Sequence, residues 1–169
     1  NTKFFKFYYI IMKNLGKNVK FKICGIKNEN EADEVAKLKI DFLGIIFAES
    51  KRQVSPQMAQ KIAKIAHQNG KKAVGVFAGI TKFKILEICD FVKLDAVQIY
   101  DNINFENELK NRNIELWQVA SIKNEIPNIN NYKFDKILFD YKGKKIGGNG
   151  ISWDFSLLEN FKKNHPKIN

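Results

Sequence analysis

Cysteine and histidine are scarce in this chain of 169 residues, and their scarcity excludes several classes of metal-binding and disulfide-rich protein. The cysteines are Cys24 and Cys89, the histidines also number two, and no Cys-x-x-Cys pair occurs. Such a set does not make a zinc site or a disulfide scaffold, and it is typical of a reducing compartment. No apolar run is long enough to span a bilayer. We therefore expect a cytoplasmic protein with no metal and no membrane partner.

Acidic residues are outnumbered, with 18 Asp and Glu against 29 Lys and Arg and a formal net charge of +11. The excess is mostly lysine spread along the whole chain, and no run resembles a basic arm. A nucleic-acid footprint would cluster on one face, so a solvated lysine-rich surface is the favoured interpretation. A non-catalytic basic binding module stays open as an alternative. A basic surface also attracts anionic substrates.

The first 17 residues are predicted to be an N-terminal extension, followed by a single domain over residues 18–169. The aromatic stretch 4–11 is short, is broken by Lys6 and has no small-residue cleavage site, so it does not favour a signal sequence. Met12 is the expected natural start, with residues 1–11 upstream of it.

Apolar runs alternate with amphipathic stretches from Asn18 onwards. The predicted strands are Val19–Cys24, Asp41–Phe47, Lys72–Phe77, Ala96–Ile99, Ile114–Ala120 and Lys136–Phe139. The predicted helices are Asn28–Leu38, one opening at Ser55 and Pro56 and ending before Gly70, Thr81–Cys89, Phe105–Arg112, a weak segment through Ile129, and Phe155–Lys163. Strands that are apolar on both faces indicate a parallel sheet covered by helices.

This βα rhythm fits either a doubly wound open sheet or a (β/α)₈ barrel. The first turn, residues 24–28, is not a Gly-x-Gly-x-x-Gly motif, which speaks against dinucleotide binding. Polar or reactive side chains stand at several strand ends, namely Cys24, Gln98 and Asp140. A site assembled from many strand ends is typical of the barrel.

Two of these side chains have both a structural and a chemical interpretation. Cys24 is either a small buried hydrophobe or, with Lys22 and Lys27 nearby, a thiol of depressed pKa that acts as a base. Asp140 either caps the next turn or is a partly desolvated acid of raised pKa. Cys89, late in a helix, is interpreted as a core residue.

Two loops have the same double interpretation. The segment 50–55 is a solvated loop or else places Arg52 to hold a substrate carboxylate. The Gly-rich, basic segment 142–150 is a surface turn or else a lid or anion cradle. No Gly-Lys-Ser or Gly-Lys-Thr closes it, so it is not a Walker motif.

Taken together and in order, these motifs resemble the phosphoribosylanthranilate isomerase family of tryptophan biosynthesis. The matching segments are 22–26, 44–47, 50–55, 74–77, 95–99, 138–140, 147–150 and 153–155. The resemblance implies a (β/α)₈ TIM barrel that performs an Amadori rearrangement on a small phosphorylated substrate without a cofactor. It implies that Cys24 is the general base and Asp140 the general acid. It also implies substrate contacts at Arg52, Gln98, Gly147 and Gly148.

The chain departs from the family pattern both at individual residues and in length. Tyr100 stands where the family usually has His, and Tyr141 where it usually has Ser or Thr. The sequence also stops near the expected start of the seventh strand, which predicts about six βα units with strands seven and eight missing. Open first and sixth strands would invite pairing with another chain, so a monomer or a homodimer is expected, with weakened phosphate binding. Another phosphate-sugar barrel, such as a relative of indole-glycerol-phosphate synthase, is the alternative enzyme.

Overall fold

The computed structural model describes residues 19–101, 104–129, 133–141, 143, 154 and 156–165. Within them, six strands form one parallel sheet whose spatial order is the order along the chain. This confirms the predicted parallel α/β architecture. The predicted N-terminal extension and most of the Gly-rich loop lie outside the described residues, so both stay predictions.

The strands and helices follow the predicted alternation closely. The strands are β1 (Lys22–Cys24), β2 (Phe42–Ile46), β3 (Lys72–Phe77), β4 (Ala96–Ile99), β5 (Glu115–Ile122) and β6 (Lys136–Tyr141). The helices are α1 (Glu29–Ala36), α2 (Pro56–Gln68), α3 (Lys82–Val92), α4 (Glu106–Lys110) and α5 (Leu157–Asn164). None of the described helices is long and apolar enough to cross a membrane.

Side-chain caps fix the residues at which helices α1 and α2 begin, as the sequence predicts. The Asn28 Oδ1 accepts a hydrogen bond from the Glu31 backbone N–H at 2.9 Å, ahead of α1. The Ser55 Oγ accepts one from the Met58 N–H at 3.3 Å, and Pro56 occupies the first turn of α2. Each cap satisfies a backbone donor that the first helical turn leaves unpaired.

The connection between β5 and β6 differs from the prediction. Its described residues, 123–129, contain no helix, although a weak helical segment through Ile129 was expected. Asn124, Pro127 and Asn128 explain the difference, because Asn competes with helical hydrogen bonds and Pro cannot donate one. The two flanking strands also extend beyond the predicted ends, to Ile122 and Tyr141.

The sheet is curled, and its two faces have different neighbours. Lys22 of β1 donates a hydrogen bond to Gln98 of β4, although three strand spacings would separate them by about 14 Å in a flat sheet. The convex face packs against the helices in the larger apolar core. The concave face carries a smaller cluster of Phe42, Val74, Ala96, Trp117 and Leu138.

Candidate active site

Cys24 is the last residue of β1, half-buried, and its side chain lies over Gly44 of β2. The two residues are register partners, and a Cβ on Gly44 would lie 2.7 Å from the Cys24 Sγ. Gly25 then turns the chain at φ +91° and donates its N–H to the Gly44 carbonyl at 2.8 Å. The thiol therefore occupies space that exists only because β2 has no side chain at this point.

Arg52 reaches the same strand end from the loop after β2. Its Nη1 donates a hydrogen bond to the Cys24 carbonyl oxygen at 3.1 Å. The side chain packs so closely on Gly25 that a Cβ there would meet both Arg52 Cδ and Nη1 at 2.7 Å. Arg52 is otherwise exposed, so its remaining N–H donors are accessible to solvent beside Cys24.

Asp140, near the end of β6, is half-buried and is held at both carboxylate oxygens. The Tyr141 backbone N–H donates to Oδ1 at 2.9 Å, and the Tyr100 hydroxyl donates to Oδ2 at 3.1 Å. Tyr100 follows directly after β4, so the contact joins two strand ends that are not neighbours in the sheet. Burial raises the pKa of Tyr100, and the charges of Asp140 and Cys24 add to the effect.

Gln98, at only 5 % exposure, is one of the few polar side chains in the interior. Its Oε1 accepts a hydrogen bond from the Lys22 ammonium, which lies 5.5 Å from the centroid of the Trp117 ring. Burial lowers the pKa of Lys22, and the charge of Cys24 opposes that change. Gln98 thus connects a cation on β1 with β4.

The structure therefore brings Cys24, Arg52, Gln98 and Asp140 to the carboxyl ends of β1, β2, β4 and β6. Gly147 and Gly148 lie outside the described residues, so their substrate contacts stay a prediction. Sequence reasoning did not find the contacts of Lys22 with Gln98 or of Tyr100 with Asp140. The available signal was the alternation in β1, which places Lys22 on the same face as Cys24.

Two other features lie apart from this group. Cys89 is in α3 at 1 % exposure, where burial, with the Asp90 charge adding, raises the pKa of its thiol to about 12. A cavity of about 390 Å³ lies between the segment after β5 and α5, where Pro127 and Phe161 are among its lining residues. No cluster of three or more His, Cys, Asp or Glu suited to a metal occurs within the described part of the chain.

Comparison with known protein families matches residues 21–169 to the model for N-(5′-phosphoribosyl)anthranilate (PRA) isomerase. The N-(5′-phosphoribosyl)anthranilate isomerase of Campylobacter jejuni is 44% identical over 147 residues, which cover 86% of this chain and 74% of the relative. The enzyme of the same name from Clostridium acetobutylicum is 37% identical over 153 residues, covering 89% and 73%.

Solved structures show the same likeness. Phosphoribosyl anthranilate isomerase from Thermotoga maritima superposes with a TM-score of 0.67 at 28% identity, covering 86% of this chain and 72% of that one. A phosphoribosyl anthranilate isomerase in complex with reduced 1-(o-carboxyphenylamino)-1-deoxyribulose 5-phosphate superposes with a TM-score of 0.63 at 26% identity, covering 86% and 71%. The curled six-stranded sheet thus corresponds to most of a TIM barrel, and the chain belongs to the N-(5′-phosphoribosyl)anthranilate isomerase family.

Proposed function

We propose that this chain rearranges N-(5-phosphoribosyl)anthranilate to 1-(2-carboxyphenylamino)-1-deoxyribulose 5-phosphate, with Asp140 as general acid and Cys24 as general base. The observation that carries the proposal is that both side chains stand at the carboxyl ends of strands in one curled sheet, Cys24 in β1 and Asp140 in β6. The proposal includes a cytoplasmic location and a small phosphorylated substrate rather than nucleic acid.

The reaction needs one proton delivered to the ring oxygen and one proton removed from C2′ of the same sugar. Asp140 protonates the ribose ring oxygen, the C1′–O bond breaks, and the nitrogen lone pair forms an iminium at C1′. The iminium acidifies the neighbouring C2′–H bond, so the Cys24 thiolate is a strong enough base to remove that proton. The electron pair of the C–H bond then gives an enolamine, which tautomerises to the ketone. No electron donor or acceptor is needed, because one carbon is oxidised as its neighbour is reduced.

Arg52 is the proposed partner of the anthranilate carboxylate. Its Nη1 is anchored on the Cys24 carbonyl, while a guanidinium has five N–H donors in a planar fork. The remaining donors suit a planar carboxylate in a bidentate arrangement. An anthranilate held this way places the sugar carbons next to the thiol. Gly147 and Gly148 are also proposed to contact the substrate.

Substitution of the two proposed proton-transfer groups tests the assignment. We expect Cys24→Ala and Asp140→Asn each to lower kcat on the order of 10²- to 10⁴-fold, measured by the loss of anthranilate-type fluorescence during turnover. Cys89→Ala is the matched control, because this thiol is buried behind the sheet at α3 and should leave the rate unchanged. Full activity in both the Cys24 and the Asp140 variant would overturn the assignment.

A further inference from the structure

A chain of polar side chains crosses the concave face from β1 to β6. The Lys22 ammonium donates to Gln98 Oε1, and the Tyr100 hydroxyl donates to Asp140 Oδ2 at 3.1 Å. Gln98 lies next to Tyr100 and lowers the pKa of its hydroxyl, against the larger effect of burial. Its members come from three different strands or strand ends. This row of side chains begins at Lys22, two residues from Cys24, and ends at Asp140. It therefore joins the surroundings of the proposed base to the proposed acid.

The orientation of the Gln98 amide follows from its contact with Lys22. An ammonium group has three donors and no acceptor, so the Gln98 atom that faces Lys22 must be the amide oxygen. The Gln98 group left for Tyr100 is then the amide nitrogen, a donor, which agrees with the lowering effect of Gln98 on the pKa of the phenol. The phenol directs its own proton towards Asp140. Replacing Lys22 by a neutral residue would remove the reason for this single orientation.

Tyr100 is suited to be a permanent donor in this position. Burial and the charges of Asp140 and Cys24 raise its pKa, so the hydroxyl stays protonated throughout the neutral range. The other carboxylate oxygen of Asp140 is taken by the Tyr141 backbone N–H. Without the phenol, only one oxygen of the carboxyl group would be held, and the group would be free to rotate about its Cβ–Cγ bond.

We propose that Tyr100 is a positioning residue that fixes the orientation of the Asp140 carboxyl group, and that Lys22 acts through Gln98 to orient Tyr100. This inference rests on the proposed role of Asp140 as the general acid. Tyr100 exchanges no proton with the substrate in this scheme. Its contribution is to keep one carboxyl oxygen aimed at the ribose ring oxygen during ring opening.

The first test is Tyr100→Phe, which keeps the ring and removes only the hydroxyl. We expect kcat to fall about 10- to 100-fold, since a hydrogen bond to a charged group is typically worth 1.5–3 kcal/mol. We expect KM to change less than about twofold and the midpoint of thermal unfolding to stay close to that of the parent, because Phe fills the same volume. Unchanged kcat, or a rise in KM with kcat intact, would overturn the proposal.

A double-mutant cycle separates this proposal from the proposed function. If Tyr100 acts only through Asp140, Tyr100→Phe has no further effect on kcat in an Asp140→Asn background. Effects that multiply in the double variant would refute the positioning role while leaving the proposed acid in place. If Asp140→Asn by itself has no effect, the proposed function fails and this inference fails with it.

Lys22→Met supplies a second, independent measurement. It keeps an unbranched side chain over Trp117 but removes the cation that orients Gln98. We expect a smaller loss in kcat than for Tyr100→Phe and no further loss when the two changes are combined. Additive losses would show that Lys22 does not act through Tyr100 and would overturn that part of the proposal.

Discussion

Gly44 lies so close to Cys24 that a single methyl group on it would lie 2.7 Å from the Cys24 Sγ and 3.0 Å from the Cys24 Cα. The two residues are register partners in neighbouring parallel strands. The absence of a side chain at Gly44 in β2 therefore sets the position of the thiol as much as the placement of Cys24 in β1 does.

Gly44→Ala is predicted to displace the Cys24 thiol. Contacts this short do not occur between a real Cβ and its neighbours, so the sulfur has to move, and a displacement of about 1 Å can lower a rate about 100-fold. Rearrangement kinetics measure the loss.

The matched control for this change is Gly75→Ala in β3. A Cβ on Gly75 would lie 2.6 Å from both Leu94 and Phe77, which are core side chains on the helix-covered face. Overpacking there costs roughly 1–3 kcal/mol of stability but should leave the turnover of the folded protein unchanged. Equal rate losses in the two variants would contradict the specific effect on Cys24.

The two cysteines are predicted to differ sharply in reactivity towards a thiol reagent. Cys24 is half-buried at the end of β1, whereas Cys89 is at 1 % exposure and burial raises its pKa to about 12. Because the thiolate is the reactive form, Cys89 should stay unmodified at pH 8 in the folded protein. Iodoacetamide labelling followed by peptide mass spectrometry should find one modified cysteine under native conditions and two in guanidinium. Native labelling at Cys89 would contradict the prediction.

Gly25→Ala is predicted to disturb Arg52. The new Cβ would lie 2.7 Å from Arg52 Cδ and Nη1, and the backbone at φ +91° is strained for any L side chain. If Arg52 holds the substrate carboxylate, KM should rise about 10- to 100-fold, the loss expected for a charge-assisted hydrogen bond. Steady-state kinetics give this value directly.

Gly70→Ala is the control for Gly25→Ala, because it introduces backbone strain without a contact to Arg52. Gly70 also has a positive φ, +66°, but a Cβ there has no neighbour within 4 Å. This variant should lose about 1–2 kcal/mol of stability from strain with an unchanged KM. A similar KM in the two glycine variants would show that Arg52 does not bind the substrate.

Asp41 is predicted to make stability depend on pH in the acidic range. It accepts hydrogen bonds from the Lys20 ammonium at 2.8 Å and the Phe21 N–H at 2.9 Å. Burial by itself would raise its pKa, but these partners hold the pKa of Asp41 below the ordinary value of 3.8. A carboxylate with a depressed folded pKa contributes stability that is complete above the ordinary pKa and is lost as the pH falls through the folded value.

Asp41→Asn should therefore cost about 1 kcal/mol at pH 7, and the difference from the parent should shrink below pH 4. Urea unfolding at several pH values measures both quantities. A difference that grows on acidification would contradict the assignment. Lys20→Met serves as the companion variant, since it removes the exposed cation but keeps the hydrogen bond from Phe21.

Much of the fold was readable from local chemistry. The apolar pattern placed β3 and β4 at their observed bounds, and the caps at Asn28 and Ser55 marked two helix starts, because both signals act over a few residues. The helix expected between β5 and β6 was wrong, since a weak pattern in an Asn- and Pro-containing segment does not outweigh the cost of helical hydrogen bonds.

The sequence by itself determined the strand and helix alternation, the thiol at the end of β1 and the carboxyl group at the end of β6. Only the curl of the sheet decided which of these groups meet. Tyr100 and Asp140 are 40 positions apart and Lys22 and Gln98 are 76 apart, so no local sequence pattern makes them neighbours. Tyr100 reaches Asp140, and Lys22 reaches Gln98, because successive parallel strands twist in one direction and bring non-adjacent strand ends together. That closure is a property of the whole sheet, whereas helix caps and alternating patterns are properties of short segments.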